Sequence, residues 1–365
     1  MRIAVINELY GTKRQGGEQE AIHELTIRLR EESRTYVDVF TYCGVRDTKK
    51  IKSAWPMYFR LLPFFRELFV MPGIGKSLTA QLAGNYDIVI TSSPILFYRS
   101  APEIPLVFVC HAIRSQKAEK LSQQSIIYKL LFNYYVRKRL RDLEAKAFVG
   151  AKKIVVLHKR AKDYLVEKLL VSEEKIAILP NAVDADLFRP QLKKKDYVLF
   201  VGRATFMKGF DRLTVLAPKI KAPIVVVTKI ISSKTRKAAE TVGIEIRNDI
   251  PHDQINTLYN QAICFVLPSR DEEMPLTVLE AMSSGLPVVA TEEGGAGLIK
   301  HNENGYLFKG DSPDELAKYV NRIIDNPNLI TKLGQKGRSE VIQKHSRGAY
   351  MSSLKKILLI ATSQR

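Results

Sequence analysis

Residues 268–290 read PSRDEEMPLTVLEAMSSGLPVVA and carry the features on which the fold assignment depends. The apolar run at residues 263–267 predicts a buried strand that leads into this stretch. A helix is predicted to begin at Pro275 or Leu276, and a second buried strand near Pro287. A strand, loop, helix and strand in this order indicate an α/β domain with a parallel sheet.

Two glutamates mark this stretch as a candidate binding site. Glu272 lies in the acidic loop, and Glu280 lies eight positions later, about one turn into the predicted helix. The free N–H groups at the start of a helix bind anions. An ionised carboxylate accepts hydrogen bonds, so a glutamate nearby suits the vicinal hydroxyls of a sugar or ribose. The alternative is a surface loop with two solvated acids.

Length and composition indicate a globular enzyme with two domains. The chain has 365 residues, too many for one ordinary core, and 45% of them are apolar. Its three cysteines, Cys43, Cys110 and Cys264, are far apart and odd in number, which favours reduced, buried thiols over a zinc site. The start, MRIAVINELY, lacks the pattern of a signal peptide, and no apolar run reaches 18 residues. We therefore expect a cytoplasmic location.

The charge is strongly positive and unevenly distributed. The net charge is +19, and residues 112–168 hold 15 basic and 5 acidic side chains. This clustering predicts a negative partner such as anionic lipid, nucleic acid or an acidic substrate. Residues 55–72, WPMYFRLLPFFRELFVMP, are aromatic and basic and are typical of a segment that lies on lipid. A core helix or a lid is the alternative for that segment.

The first half of the chain opens with a strand, a glycine loop and a helix. Residues 2–6 are apolar, Gly16 and Gly17 follow, and residues 18–30 have helical spacing. This order is typical of a loop that holds a phosphate, although a double glycine also fits a plain turn. His111 follows the predicted strand at residues 105–110, at the sheet edge where α/β proteins bind ligands. The alternative for His111 is a structural role.

The second half begins with a linker and repeats the alternation of strands and helices. Residues 176–190, IAILPNAVDADLFRP, are interpreted as the linker between domains. A buried strand at 197–201 leads to Arg203 and then to Lys208. Two cations five residues apart at a strand–helix junction suit a diphosphate, unless they are ordinary exposed loop charges.

Taken together and in order, these motifs resemble the retaining glycosyltransferases of family 4 (glycosyl transferases group 1), which have the GT-B fold. The resemblance covers nearly the whole chain. The matching positions are Gly16-Gly17 with Glu24-Leu25, His111, Pro180-Asn181-Ala182-Val183-Asp184 with Phe188 and Pro190, Arg203 with Lys208-Gly209, Pro268-Ser269 with Glu272 and Glu280-Ala281-Met282, Gly294-Gly295 and Asn304-Gly305.

The resemblance implies an α/β architecture with two Rossmann-like domains that face each other across a cleft. Residues 1–180 would form the acceptor-side domain, and a helix at about 346–365 would pack back on it. Residues 181–345 would form the domain that binds the nucleotide sugar. The expected substrate is a nucleoside-diphosphate sugar, with no metal or other cofactor, and the expected activity is that of a retaining hexosyltransferase.

The resemblance also assigns roles to individual residues. Arg203 and Lys208 would neutralise the leaving diphosphate, Glu280 would hold the ribose hydroxyls, and Glu272 would hold hydroxyls of the transferred sugar. His111 would lie beside the anomeric centre, so it is grouped with Arg203, Lys208 and Glu272 as catalytic. The nucleotide sugar is expected to be bound at Gly16, Gly17, Met274, Pro275, Leu276 and Glu280. Backbone N–H donors are expected near Gly17 and among the residues that follow Met274.

Four departures from the family pattern affect these expectations. Gln19 and Ala182 stand where many members have a glutamate and a glycine. Glu273 replaces a glycine, and Met274-Pro275 replaces a phenylalanine–glycine pair. The last two changes fall in the expected sugar pocket, so the identity of the donor sugar stays open.

Several alternatives remain at this point. The triplet Asp184-Ala185-Asp186 lies inside the linker, where turn chemistry is a better interpretation than a metal site. The basic segment is compatible with a protein that binds nucleic acid or another polyanion, but no RNP, helix-turn-helix or zinc-finger pattern is present. A GT-B sugar-nucleotide epimerase would leave the two glutamates unexplained. We favour a peripheral membrane enzyme of cell-envelope or glycolipid biosynthesis that glycosylates a lipid-linked sugar or a polysaccharide precursor.

Overall fold

The structure is a computed structural model of the 365-residue chain. It describes residues 1–7, 17–32, 34–41, 48–50, 78–97, 103–116, 134–192, 195–310 and 312–363. The segment at 55–72, Gly16, Cys43 and residues 117–133 of the basic region therefore lie outside the described residues.

The chain divides into two compact units. The first comprises Met1–Pro180 and Met351–Arg365, and the second comprises Asn181–Tyr350. The division after Pro180 coincides with the boundary expected from the linker motif. The later boundary follows Tyr350 rather than residue 345, because the last helix begins in the second unit and ends in the first.

The first unit contains a parallel sheet with seven described strands in the order β3-β2-β1-β4-β5-β6-β7. Its strands are β1 (Arg2–Ile6), β2 (Tyr36–Thr41), β3 (Lys49–Lys50), β4 (Ile88–Thr91), β5 (Leu106–Cys110), β6 (Lys153–Val156) and β7 (Ile176–Ile178). Its helices include α1 (Gly17–Glu31), α2 (Tyr134–Val149) and α3 (Lys159–Leu169).

The strand order of the first sheet reverses between β1 and β4, so the carboxyl ends of β1, β4 and β5 are neighbours. Every residue of β4 and β5 is buried, as expected for inner strands of a parallel sheet. The point of reversal is where open α/β sheets bind ligands. His111 follows β5, and α1 follows β1, so both lie at this carboxyl edge.

The second unit repeats the architecture, with six described strands in the order β10-β9-β8-β11-β12-β13. Its strands are β8 (Tyr197–Val201), β9 (Ile224–Thr228), β10 (Ile244–Asn248), β11 (Ala262–Leu267), β12 (Val288–Thr291) and β13 (Gly305–Phe308). Its helices are α4 (Phe210–Leu216), α5 (Ser233–Thr241), α6 (His252–Gln261), α7 (Leu276–Ser283), α8 (Glu292–Gly295), α9 (Pro313–Ile324) and α10 (Asn328–Lys344), followed by α11 (Arg347–Ser363). The strand order reverses between β8 and β11, so the loop after β8 and the loop after β11 are neighbours.

The predicted α/β architecture with two Rossmann-like units is confirmed. Two described strands were missed, β3 and β13. Strand β3 has only two residues, both lysines. Strand β13 pairs in parallel with β12, although Asn304-Gly305 was interpreted only as a glycine turn. The strand has four residues and begins at the glycine itself, so its apolar run is too short to predict a strand.

The last helix, α11, returns to the first unit, as the resemblance implied. Leu354, Leu358 and Ala361 are buried along one face, and Lys355 forms a 2.7 Å ion pair with Glu32 just after α1. Among the described residues, none of the helices has the length and apolar character needed to span a membrane.

Candidate functional site

The loop after β8 is shaped by a glycine that permits close contact with the loop after β11. Residues Phe206–Lys208 form one turn of 3-10 helix, and Gly209 follows with a φ of 70°. A Cβ atom at Gly209 would lie 1.8 Å from the carbonyl oxygen of Pro268. Glycine is therefore required both for the left-handed backbone and for the approach of the two loops.

Hydrogen bonds join the two loops. The carbonyl oxygen of Met207 accepts from the Ser269 hydroxyl at 2.9 Å and from the Arg270 backbone N–H at 2.9 Å. Thr291, at the end of β12, donates its hydroxyl hydrogen to the Ser269 carbonyl at 2.5 Å. The loops that hold the predicted cations and the predicted glutamates are thus fixed to each other at the carboxyl edge of the sheet.

Arg270, which the sequence analysis did not single out, reinforces this junction. Its guanidinium forms two 2.7 Å hydrogen bonds to Asp211 and lies 3.6 Å from the centroid of the Phe206 ring. Burial acts to raise the pKa of Asp211, but the hydrogen bonds and charge of Arg270 outweigh it, so the pKa lies below its ordinary value. This bidentate pair holds the loop of Phe206 against the loop of Arg270.

Lys208 and Glu272 are in direct contact. The Lys208 Nζ lies 2.5 Å from Glu272 Oε1, with the side chains 25% and 9% exposed. Arg203, in contrast, is exposed in the same loop. Lys208 is therefore a largely covered cation paired with the loop glutamate, whereas Arg203 fits the alternative of an exposed loop charge.

Glu280 lies in the second turn of α7 and is held by a buried tyrosine. The hydroxyl of Tyr259, on α6, donates a 2.8 Å hydrogen bond to Glu280 Oε2. Burial, together with the negative charge of Glu280, keeps the pKa of Tyr259 well above its ordinary value. The phenol therefore stays protonated and donates. Tyr259 lies in the apolar pattern of α6 and β11, so the sequence indicates only a core residue there.

Met274 contacts the linker motif through both its side chain and its carbonyl. Its sulfur accepts a 3.1 Å hydrogen bond from the backbone N–H of Asn181, and its carbonyl accepts a 3.1 Å bond from the Asn181 side chain. The side chain thus joins the loop after β11 to the linker motif. His345 completes the linkage, since its Nδ1 lies 3.1 Å from the Asn181 carbonyl. Burial lowers the pKa of His345 below its ordinary value.

The start of α7 presents backbone donors beside the acidic loop. Pro275 precedes the helix and Leu276 begins it, and no side chain forms a capping hydrogen bond there. The N–H groups of a first helical turn have no partner within the helix. Leu276 therefore presents its backbone N–H at the start of the helix, beside the acidic loop.

Asp184 of the linker has a structural role. Asp184 Oδ1 accepts from the backbone N–H groups of Asp186 and Leu187 at 3.1 and 3.0 Å, and Asp184 Oδ2 forms a 2.8 Å ion pair with Arg347. For Asp184, these hydrogen bonds are those expected of turn chemistry. In the part of the chain that the structure describes, no group of three or more potential metal ligands occurs.

In the first unit, the structure places His111 and Gly17 at one sheet edge. His111 is buried directly after β5, and Gly17 opens α1. Cys110, before His111, and Cys264, in β11, are both buried free thiols, and burial raises the pKa of Cys264 to about 12. Both described cysteines therefore fit the prediction of reduced core residues.

Comparisons with known proteins agree with this arrangement. Residues 15–187 match the model of Glycosyltransferase Family 4, and residues 184–340 match that of Glycosyl transferases group 1. An uncharacterized glycosyltransferase of Haemophilus influenzae is 31% identical over 221 residues, which cover 57% of this chain and 62% of that protein.

Two further comparisons extend the likeness. The UDP-Gal:α-D-GlcNAc-diphosphoundecaprenol α-1,3-galactosyltransferase of Escherichia coli is 27% identical over 281 residues, which cover 68% of this chain and 69% of that protein. The structure of a sucrose-phosphate synthase from Thermosynechococcus elongatus superposes with a TM-score of 0.81 at 20% identity and covers 99% of both chains, so the fold is shared. By the two family models and the motifs that both units carry, the chain belongs to glycosyltransferase family 4.

Proposed function

We propose that this protein transfers a sugar from a nucleoside-diphosphate sugar to an acceptor hydroxyl, with retention of anomeric configuration and without a metal ion. The observation that carries the proposal is the joined pair of loops in the second unit. They place Lys208 against Glu272 at the β8/β11 edge, beside the uncapped start of α7. Cations and helix amides suit a diphosphate, and carboxylates suit the hydroxyl groups of the ribose and of the sugar on either side of it.

The positive groups would act on the diphosphate. Arg203 and Lys208, with the amides of Leu276 and its neighbours, would bind the phosphates. Negative charge accumulates on the diphosphate as its bond to the anomeric carbon breaks, and preorganised positive groups stabilise that charge. Gly16 and Gly17 are proposed to add backbone donors from the first unit.

The carboxylates would bind hydroxyl groups. We assign Glu280, fixed by Tyr259, to the ribose and Glu272 to the transferred sugar, with His111 beside the anomeric centre. In the chemical step the acceptor oxygen bonds to the anomeric carbon while the bond to the diphosphate breaks. The acceptor's proton passes to the leaving diphosphate on the same face, so no protein nucleophile is required.

A nucleotide-sugar screen tests the proposal. Thermal unfolding is measured with UDP-, GDP- and ADP-sugars, beginning with UDP-galactose because the E. coli relative carries that donor in its name. A ligand at about 100 times its dissociation constant adds roughly 2.7 kcal/mol of stability. One class of nucleotide sugar is expected to stabilise the wild type and to lose most of that effect in Arg203→Ala. If no nucleotide or nucleotide sugar stabilises the protein, the proposal is wrong.

For the acceptor, we propose a lipid-linked sugar held at an anionic membrane surface. Residues 112–168 concentrate basic side chains, and α2 exposes Lys138, Arg141 and Lys146. Anionic lipid attracts each such cation by about 1 kcal/mol. The acceptor in the name of the E. coli relative is a diphosphoundecaprenol-linked sugar, which supports an acceptor of this class here.

Co-sedimentation with vesicles tests the membrane proposal. Wild-type protein is expected to bind anionic vesicles at low salt, to dissociate at high salt, and to ignore neutral vesicles. Charge reversal at Arg141 and Lys146 is expected to weaken binding, whereas reversal at the exposed Lys234 and Lys237 of α5 serves as the matched control. Equal binding by both variants, or no binding to anionic vesicles, would contradict a membrane contact through α2.

A further inference from the structure

One buried carboxylate has no part in the chemistry described above. Glu144 lies on the inner face of α2 with 0% of its surface exposed. Both of its oxygens accept hydrogen bonds from backbone N–H groups: Oε1 from Arg114 at 2.8 Å and Oε2 from Ser115 at 2.9 Å. These bonds link a helix to a segment 29 and 30 positions earlier in the chain.

A carboxylate in this position is costly. Its neighbours on the inner face, Leu143 and Phe148, are fully buried and apolar. Burial, partly offset by the hydrogen bonds from Ser115 and Arg114, raises the pKa of Glu144 above its ordinary value. A buried charge of this kind adds little to stability compared with an apolar or neutral side chain. The role of Glu144 therefore lies in the position that its two hydrogen bonds give to Arg114 and Ser115.

The segment that Glu144 holds in place begins at His111. Residues 111–116 leave the carboxyl end of β5, and Glu144 fixes the third and fourth residues after His111. Tyr164, on α3, donates a 3.3 Å hydrogen bond to the Ser115 hydroxyl, and the Arg114 guanidinium donates a 3.4 Å bond to Ser93 after β4. Three neighbouring parts of the unit therefore hold one short segment.

We propose that Glu144 is a positioning residue for the transfer reaction: it fixes the segment of residues 111–116 and, through it, the place and orientation of His111. The inference rests on the proposed function for its effect on turnover. It does not require Glu144 to touch substrate. Its action is confined to the first unit, so binding of the nucleotide sugar by the loops of the second unit is expected to be independent of it.

Glu144→Gln tests the inference. The amide keeps the size of the side chain but turns an NH2 group towards one of the two backbone N–H donors, so one hydrogen bond is lost. Turnover is expected to fall at least about tenfold, since a small misplacement of a reacting group has effects of this order. The dissociation constant for the nucleoside diphosphate is expected to stay at the wild-type value. The melting temperature is expected to fall modestly, because one buried backbone N–H loses its acceptor, and turnover is therefore compared at a temperature where both proteins are folded. Glu167→Gln, at an exposed helical glutamate of the same unit, is the matched control.

A second measurement separates positioning from general destabilisation and from the proposed function. The imidazole resonances of His111, observed by NMR without substrate, are expected to shift in Glu144→Gln while those of His345 do not. Tyr164→Phe removes only the hydrogen bond to the Ser115 hydroxyl, so it is expected to keep the fold and to lower turnover less than Glu144→Gln does. It replaces Glu144→Gln as the test if that variant fails to fold.

Unchanged turnover together with unchanged His111 resonances in a folded variant would overturn the inference. A loss of activity that only follows a loss of thermal stability would overturn it as well. If the wild type binds no nucleotide and transfers no sugar, the proposed function fails, and the His111 resonances still decide whether Glu144 positions that segment.

Discussion

Breaking the contact between Lys208 and Glu272 is expected to destabilise the second unit. Lys208→Met keeps most of the apolar stem but removes the ammonium that lies 2.5 Å from a carboxylate only 9% exposed. A hydrogen bond to a charged group contributes about 1.5–3 kcal/mol, and breaking a fully buried pair costs roughly 3–5 kcal/mol. With the lysine side chain 25% exposed, the lower range applies, and we expect a loss of about 2 kcal/mol.

The assay is a double-variant cycle monitored by thermal and urea unfolding. A change of 1 kcal/mol shifts the melting temperature of a domain of this size by about 2–4 °C, so Lys208→Met is expected to lower that of the second unit by roughly 4–8 °C. Glu272→Gln is expected to restore part of this loss in the double variant, with a coupling energy of at least about 1 kcal/mol.

The matched control is the exposed pair of Arg236 and Glu240 on α5, whose atoms lie 3.4 Å apart with side chains 33% and 51% exposed. Variants of that pair are expected to couple by less than about 0.5 kcal/mol. Equal coupling in the two cycles, or additive effects for Lys208 and Glu272, would refute the assignment of a structurally important ion pair.

Three further predictions concern metal, ribose and pH. Transfer is expected to persist in excess EDTA, because basic side chains supply the positive charge that a metal would bring to the phosphates. If EDTA abolishes transfer and manganese restores it, the prediction is wrong, and Asp184 and Asp186 become the candidate metal ligands. Tyr259→Phe is expected to weaken nucleoside-diphosphate binding by roughly 1.5–3 kcal/mol, the contribution of a hydrogen bond to a charged group. Binding of the 2′,3′-dideoxy analogue is expected to stay unchanged, because that analogue lacks the ribose hydroxyls assigned to Glu280. Equal losses for the two ligands would contradict this role. Because the folded-state pKa of His345 lies below its unfolded value of 6.5, its contribution to stability is complete above about pH 6.5 and is lost as the pH falls. Urea unfolding at pH 7.5 and 5.5 is therefore expected to show a larger loss for the wild type than for His345→Gln, and parallel losses would show that this histidine does not contribute.

The fold was predictable where apolar runs were long and uninterrupted. Strand β8 was predicted with the bounds that the structure shows, since five consecutive apolar residues leave little ambiguity. The division after Pro180 followed from a motif that combines a proline turn with a change of domain. The short strand β13 was missed because it begins at a glycine and has only four residues.

The site was predictable only as a set of residue types. Lys208 and Glu272 were both identified, but their contact depends on the approach of Gly209 to Pro268, which is a tertiary feature. Sequence alone gave Tyr259 no signal beyond that of a core aromatic residue. Glu144 was counted among the acidic residues of a basic segment, because its burial depends on how α2 packs.

The central claim is tested most directly by measuring sugar transfer with the identified nucleotide sugar and a lipid-linked acceptor. The wild type is expected to form a glycoside with the anomeric configuration of the donor, as determined by NMR of the first product. Arg203→Ala and Lys208→Ala are each expected to lower turnover by about 100-fold or more, the scale for losing one preorganised charge stabiliser. Lys237→Ala, at an exposed lysine of α5, is expected to match the wild type. An inverted product, or near-wild-type transfer by both loop variants with the fold intact, would contradict the account.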